Sequence, residues 1–494
     1  MKKAIALIES DLRVGPEKSN ERGGQGGAPR QRFRSLVIFV WMFLFASWAC
    51  AQQTRPPEVI NLSVHAAPAT RPSLRYKLLP EVIDQHPGNG APLYLVAARV
   101  GPDLKAADNL TSKAGERFRD LPLDQLARAD VEGALKPFDE RMRIIEVAAR
   151  REDAVWESTL REQGAFPPLS YLNDMRINAR LLSLMTRWQI ARHDWDGAGR
   201  TLQTAFGMSQ QMNNRALLVQ GLIETGIADL LLDRVTEWCG EAGAPNLYWA
   251  LTDLPSPFVD LRSVRQWEEA MIYFTFPELA ARDPENITAG QWKKIFERIG
   301  QICQANGETS LSRLQMTWLV ASKHAVAKQS LIDGGIPAEK LAGMSVNQVV
   351  GLYLFRQYQA AADEAWKAWQ LPYWQGVGKP PAPEGSEWEA RRARIAENPF
   401  LVLIPVVRSA RLQFARVDRK IALLRVIESL RDFAASNERR FPASLQELND
   451  LPAPINPMSG KAFTYQSTGD TAVLEVEADY SGGPAMVYRL TVAH

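Results

Sequence analysis

Side chains able to move protons or hold metals are few and scattered along this 494-residue chain. The five histidines are His65, His86, His193, His324 and His494, and no two stand at the H-x-x-x-H or H-E-x-x-H spacing that sets paired imidazoles on one helical face for zinc. Cys239 and Cys303 lie far apart without companions. G-x-S-x-G, G-x-x-x-x-G-K-[ST] and a helix-opening G-x-G-x-x-G are all missing, which removes the usual signatures of acyl transfer and of nucleotide binding. His193-Asp194 has the composition of a base and its orienter. It falls at a predicted helix end, where a cationic histidine is favourable in any case. Glu268-Glu269 and Asp363-Glu364 are chemically able to act as general acids, but adjacent helical residues point to different sides, and solvated helix faces account for them. No catalytic residue, metal ligand or cofactor is expected.

Tryptophan is the conspicuous excess. Trp366, Trp369, Trp374 and Trp388 crowd one region beside the Pro-rich "GKPPAPEG". Trp366, Trp369 and Trp374 are the candidate binding residues, since aromatic rings offer large contact area with a polar edge to a peptide or a sugar. The helical spacing of Trp366 and Trp369 fits core packing as well, and both readings stand.

Charge narrows the partners. The chain carries 58 Lys and Arg against 56 Asp and Glu, a net +2. A body this close to neutral lacks the basic face that phosphate neutralisation needs, so nucleic acid is not an expected partner. Protein or peptide is. Near the N-terminus, "SLVIFVWMFLFASWAC" follows Arg30, Arg32 and Arg34. Leu36 to Ala51 is almost wholly apolar, about 24 Å long as a helix and short of the roughly 30 Å hydrocarbon core. A basic flank, a short apolar run and the closing Ala49-Cys50-Ala51 predict a secretory signal cut after Ala51. A retained membrane anchor and a lipid-modified Cys50 are the alternatives. Export to the periplasm or cell envelope is expected in each case, and there Cys239 and Cys303 either pair or serve as small buried apolar groups.

The elements that must position these residues are mostly helices. Residues 1–51 form the N-terminal region and signal, 52–73 a Pro-rich tether, 74–375 a helical domain, 376–398 a Pro/Gly-rich charged linker, and 399–494 a long helix followed by a small α+β unit. The fold class is mainly α: an irregular stack of helical hairpins with an antiparallel sheet at the C-terminus. Leu172, Met175, Ala179, Leu182, Met185 and Ile190 share one helical face. Trp195, Ala198, Leu202 and Ala205 after them match one tetratricopeptide-like hairpin, with Thr186 and Gln189 departing from the pattern. Thr288 to Gln291 and Ser345 to Gln348 have capping-box spacing, and "SRLQMTWLVASKHAVAKQSLI" between them reads as a long amphipathic helix. "AFTYQ", "AVLEVEA" and "MVYRLTVA" alternate with period two.

The tail carries a resemblance. A long helix, Arg440-Phe441-Pro442, a short capped helix with Leu445 and Leu448, Leu451-Pro452, Asn456-Pro457, Gly460-Lys461 and Phe463-Thr464-Tyr465 come in the order seen in type II secretion pseudopilin globular domains. No Gly-Phe-Thr-x-x-x-Glu start precedes the helix, so processing as a pilin is not implied. More broadly, "LRYKLLPEVIDQHPGNGAPLYL", "APNLYWALTDLPSPFVDLR" and "DRKIALLRVIESLRDFAASNERRFPASL" look like landmarks of exported bacterial helical proteins without an assigned function. The resemblance implies an architecture without a chemistry. Ile421, Leu424, Val426, Ile427, Leu430 and Phe433 give the helix before Arg440 an apolar face, and a sheet this small needs covering, so residues from about 415 to 494 are expected to fold on their own helix, separable from the body.

The functional expectation is a non-catalytic, protein- or peptide-binding scaffold of the cell envelope. An envelope-polymer hydrolase built from scattered carboxylates, and an accessory of a pilus-like secretion assembly, are the alternatives.

Overall fold

A computed structural model describes residues 57–493 apart from 112–117, 119, 157–163, 165–168, 214–216, 282, 306–311, 377–385, 406 and 478–484. The apolar run Leu36 to Ala51, with Cys50, therefore lies outside the described residues, as do residues 377–385 of the expected linker and the side chain of Trp388, whereas Ser386–Glu397 of that linker is helical.

The chain begins with strand β1 (Glu58–Val64), then β2 (His86–Asn89) and helix α1 (Ala91–Ala97). Helix α2 (Asp139–Ala149) leads into β3 (Arg151–Asp153), which pairs with β2 in parallel. Helices α3 (Tyr171–Ala191) and α4 (Trp195–Gln210) form a hairpin. Asp194 starts its second arm by accepting from Gly197 N at 3.0 Å, satisfying a free backbone donor of the first turn. Helix α5 (Leu218–Cys239) packs on both arms.

Short helix α6 (Tyr248–Thr252) and α7 (Leu261–Thr275) follow. A second group comprises α8 (Ala289–Ala305), α9 (Arg313–Asp333) and α10 (Val346–Lys367). Both expected capping boxes form: Thr288 N donates to Gln291 Oε1 at 2.9 Å and Ser345 N to Gln348 Oε1 at 3.0 Å. Helices α8 and α10 approach closely because position 351 is glycine. A Cβ there would stand 2.3 Å from the buried Trp292 ring.

Helix α11 (Val407–Ser436) ends the helical part, and β4 (Thr464–Ser467), β5 (Thr471–Val476) and β6 (Met486–Val492) close the chain. The protein is thus mainly helical with a small C-terminal sheet.

Three expectations need correction. The sheet is mixed: its order is β1-β6-β5-β4, with β1 parallel to β6 and the other pairs antiparallel. Residues 58–64 are therefore a strand within the expected tether, alternating Ile60, Leu62 and Val64 toward the core. The tail is not separable. Helix α11 buries Phe414, Val417, Leu423, Leu424, Val426, Ile427 and Leu430 around most of its circumference, packs on α5 and α6, and shares one continuous core with Leu474, Tyr488 and Leu490 of the sheet. A helix apolar all round belongs inside a protein, whereas one partner needs only a stripe. Finally, α9 is not cleanly amphipathic: Met316, Leu319, Val320 and Leu331 are buried, yet Leu314 and Trp318 are 80% and 71% exposed.

Candidate binding surfaces

Of the three candidate tryptophans, the structure brings two together and exposes the third. Trp366 and Trp369 are buried and meet edge to face at 5.0 Å, and Trp369 lies 5.7 Å from Phe414 of α11. They pack the core. Trp374 is 44% exposed, in the loop 371–376 after α10. Its ring covers Gly460, whose φ of +69° and missing Cβ permit a contact that a side chain would block at 2.7 Å. Arg411 of α11 pins the loop from below. Its Nη2 donates to the carbonyls of Leu371 at 2.8 Å and Pro372 at 2.9 Å, and its guanidinium lies 5.1 Å from the Tyr373 ring centre. Burial, partly offset by Tyr373, lowers the Arg411 pKa.

The remaining chemical candidates serve the fold. His193, at φ +59°, stacks on Trp195 at 5.3 Å while Asp194 caps α4. Glu364 pairs with Lys367 and Glu269 with Arg265. Glu268 accepts from Leu218 N at 2.7 Å, and burial outweighs that bond to push its pKa up to about 7. Asp418 accepts from Phe258 N at 2.8 Å, and burial again wins, raising it to about 6. Glu224 is fully buried and strongly raised, by burial first and Asp260 second. Its Oε1 accepts from Gln210 Nε2 at 3.1 Å, and its Oε2 lacks a described partner, as suits a neutral acid. Each of these three carboxyls holds a donor from a neighbouring element.

A surface that sequence reasoning missed lies where the chain leaves β1. Ala66, Ala67, Pro68 and Ala69 face Ala244 and Pro245 across a hollow of about 340 Å³, which Arg71 and Arg75 also line. The two segments that line it are tied together by a wholly buried ion pair. Arg431 Nη1 donates to the two Glu428 oxygens at 3.0 and 2.8 Å, Nη2 to the Ala244 carbonyl at 2.7 Å, and Nε to the His65 carbonyl at 2.9 Å. Asn246 Nδ2 ties the Glu428 and Ala67 carbonyls together at 2.8 and 3.2 Å, and Ala69 N donates to Asp432 at 2.7 Å. Both walls are thereby fastened to α11. Cys239 Sγ donates to Glu428 at 3.2 Å, whereas Cys303 Sγ faces the Pro399 carbonyl at 3.8 Å, so the two cysteines do not pair. Burial and then Arg431 lower the pKa of His65, with Glu241 opposing them. Arg75 reaches Asp196 at 3.3 Å, and exposed Arg71 has no carboxylate partner among the described residues. The hollow is thus lined by small residues and by Arg71 and Arg75, on segments hydrogen-bonded to α11. No sequence motif marks it, because backbone and short side chains from distant segments make it.

Among the described residues no three His, Cys, Asp or Glu side chains gather as a metal site requires, and no helix is long and apolar enough to cross a membrane. Compared with known proteins, the chain matches no family model, no curated protein and no solved structure.

Proposed function

We propose that this protein is a non-catalytic helical scaffold, exported to the bacterial cell envelope, that binds a peptide segment through the hollow between residues 66–71 and 243–245. The observation that carries the reading is the hollow itself: small apolar residues line it together with Arg71, which is exposed and has no carboxylate partner among the described residues, an arrangement suited to a small-residue peptide ending in a carboxylate. The carboxyls of Glu224, Glu268 and Asp418 are compatible with it, since each accepts a hydrogen bond from a neighbouring element. Export is supported by the basic flank and apolar run ahead of Ala51, and amino-terminal sequencing of the native protein should begin at Gln52. An intact Met1 in the membrane fraction would favour the anchor, and a lipid-modified Cys50 the lipoprotein. The α3–α4 hairpin fits a tetratricopeptide-like unit, with Ala198, Leu202 and Ala205 buried at its seam.

A second reading, an accessory of a pilus-like secretion assembly, is favoured by one observation. The Asn456–Lys461 turn closes by a bridge beside Gly460 and Trp374, within the pseudopilin-like stretch. The test of the leading reading is fluorescence anisotropy with short labelled alanine-rich peptides. Peptides with a free C-terminal carboxylate should bind about tenfold tighter than their amides, and Arg71→Ala should erase the difference. Equal affinity of acid and amide sinks it.

A further inference from the structure

Helix α9 turns an apolar face outward. Leu314, Trp318, Ala321 and Ala325 recur at steps of four, three and four, the spacing of a seam by which one helix packs against another. Leu314 and Trp318 are 80% and 71% exposed, and Ala321 and Ala325 are exposed beside them. The opposite side of the helix already meets the core through Met316, Leu319, Val320 and Ala327. Two bulky residues followed by two alanines make a ridge and then a notch along the seam.

The flanks of the seam differ. One side presents Gln315, Ser322 and Gln329, all exposed and uncharged. The other presents Arg313, His324 and Lys328. Arg313 meets Glu297 only loosely, at 3.7 Å and with 78% of its side chain exposed. Lys328 has no carboxylate partner among the described residues.

We propose that this face docks an amphipathic helix of another protein whose flank is acidic. Charge selects the occupant. A second copy of this chain, pairing antiparallel through the same seam, would bring two basic flanks together, and like charges across a helix pair are destabilising. The notch selects against a lipid surface. A membrane-seated helix fills its outward face with large apolar groups, whereas Ala321 and Ala325 leave room for knobs from a partner helix. Glutamates on that partner, opposite Arg313 and Lys328, would set its orientation and speed its capture.

The experiment uses the full chain and two synthetic amphipathic helices with leucine at the seam positions, one with glutamate and one with lysine on the flank. At low salt the glutamate peptide should bind about tenfold tighter than the lysine peptide, with the gap closing as salt is added. Trp318→Ala and Ala325→Arg should each weaken the glutamate peptide by about tenfold or more while the thermal midpoint stays put, because both positions face solvent. Equal binding of the two peptides overturns the proposal, as does binding insensitive to both substitutions. Trp318-dependent binding to phosphatidylglycerol–phosphatidylcholine vesicles without binding of the glutamate peptide would assign the face to membrane. A dimer in sedimentation that Ala325→Arg dissociates would assign it to a second copy. Either result rejects the acidic-helix partner.

Discussion

Two arginines on helix α11 hold up the two surfaces described at the hollow and at Trp374, and they do so by different chemistry. Arg431 beneath the hollow has a carboxylate, Glu428, as buried as itself. Arg411 beneath the Trp374 loop is held by two carbonyls and an aromatic ring. A buried cation with a matched anion makes a tie that is costly to break from one side. One held by carbonyl dipoles gives a loop that loosens more cheaply. The hollow is therefore the better preorganised of the two surfaces, which is why the binding reading rests there.

The sharpest way to break this comparison is to remove one member of the ion pair. Arg431→Met leaves Glu428 buried and unpaired, together with the carbonyls of His65 and Ala244, and should cost about 3–5 kcal/mol in urea unfolding. Adding Glu428→Gln should recover part of that loss. If the single variant is as stable as the parent, the bracing role assigned to the pair is wrong.

Leu430→Ala comes next. Leu430 is fully buried on α11, and its truncation should cost about 2–5 kcal/mol. Because α11 serves both the body and the sheet, the loss should appear as one transition seen alike by fluorescence and by far-ultraviolet circular dichroism. Two separated transitions would restore the independent tail.

Arg411→Met should cost less, about 1–3 kcal/mol, with faster hydrogen exchange confined to residues 371–376. Exchange that quickens through the whole of α11 instead would show that Arg411 braces as much as Arg431 does.

The smallest effect is a slope with pH. Glu268 and Asp418 have pKa values raised to about 7 and about 6 from 4.5 and 3.8, so over those windows the folded chain holds protons that the unfolded chain releases. Stability should fall as pH rises from about 4.5 to about 7. Glu268→Gln should flatten that fall, gaining on the parent between pH 5 and pH 8. A variant whose midpoint tracks the parent across this range would show that Glu268 ionises freely.

Much of the helical framework was legible because its signals are local. Asp194, Thr288 and Ser345 sit at the helix starts where their side chains reach free backbone donors, and the alternation in 471–476 and 486–492 marks two strands. Strand β1 carried the same alternation, but prolines surround it and its partner β6 lies at the other end of the chain, so no local cue reveals the pairing. Helix α11 misled for a related reason. Residues 421 to 433 show an apolar face, yet nothing in the sequence marks Glu428 and Arg431 beside it as a buried ion pair. Trp366, Trp369 and Trp374 are close in sequence, but spacing alone does not say that the first two fill the core while Trp374 lies apart over Gly460. The hollow left no trace, being assembled from alanines, prolines and backbone.

The most direct test of the account is hydrogen exchange by mass spectrometry on the full chain, with and without a carboxylate-ending alanine-rich peptide. Slowed exchange at residues 66–71 and 243–246, with 371–376 and 455–461 unchanged, is the predicted result. Protection that appears around Trp374 while the hollow stays unaltered would contradict it.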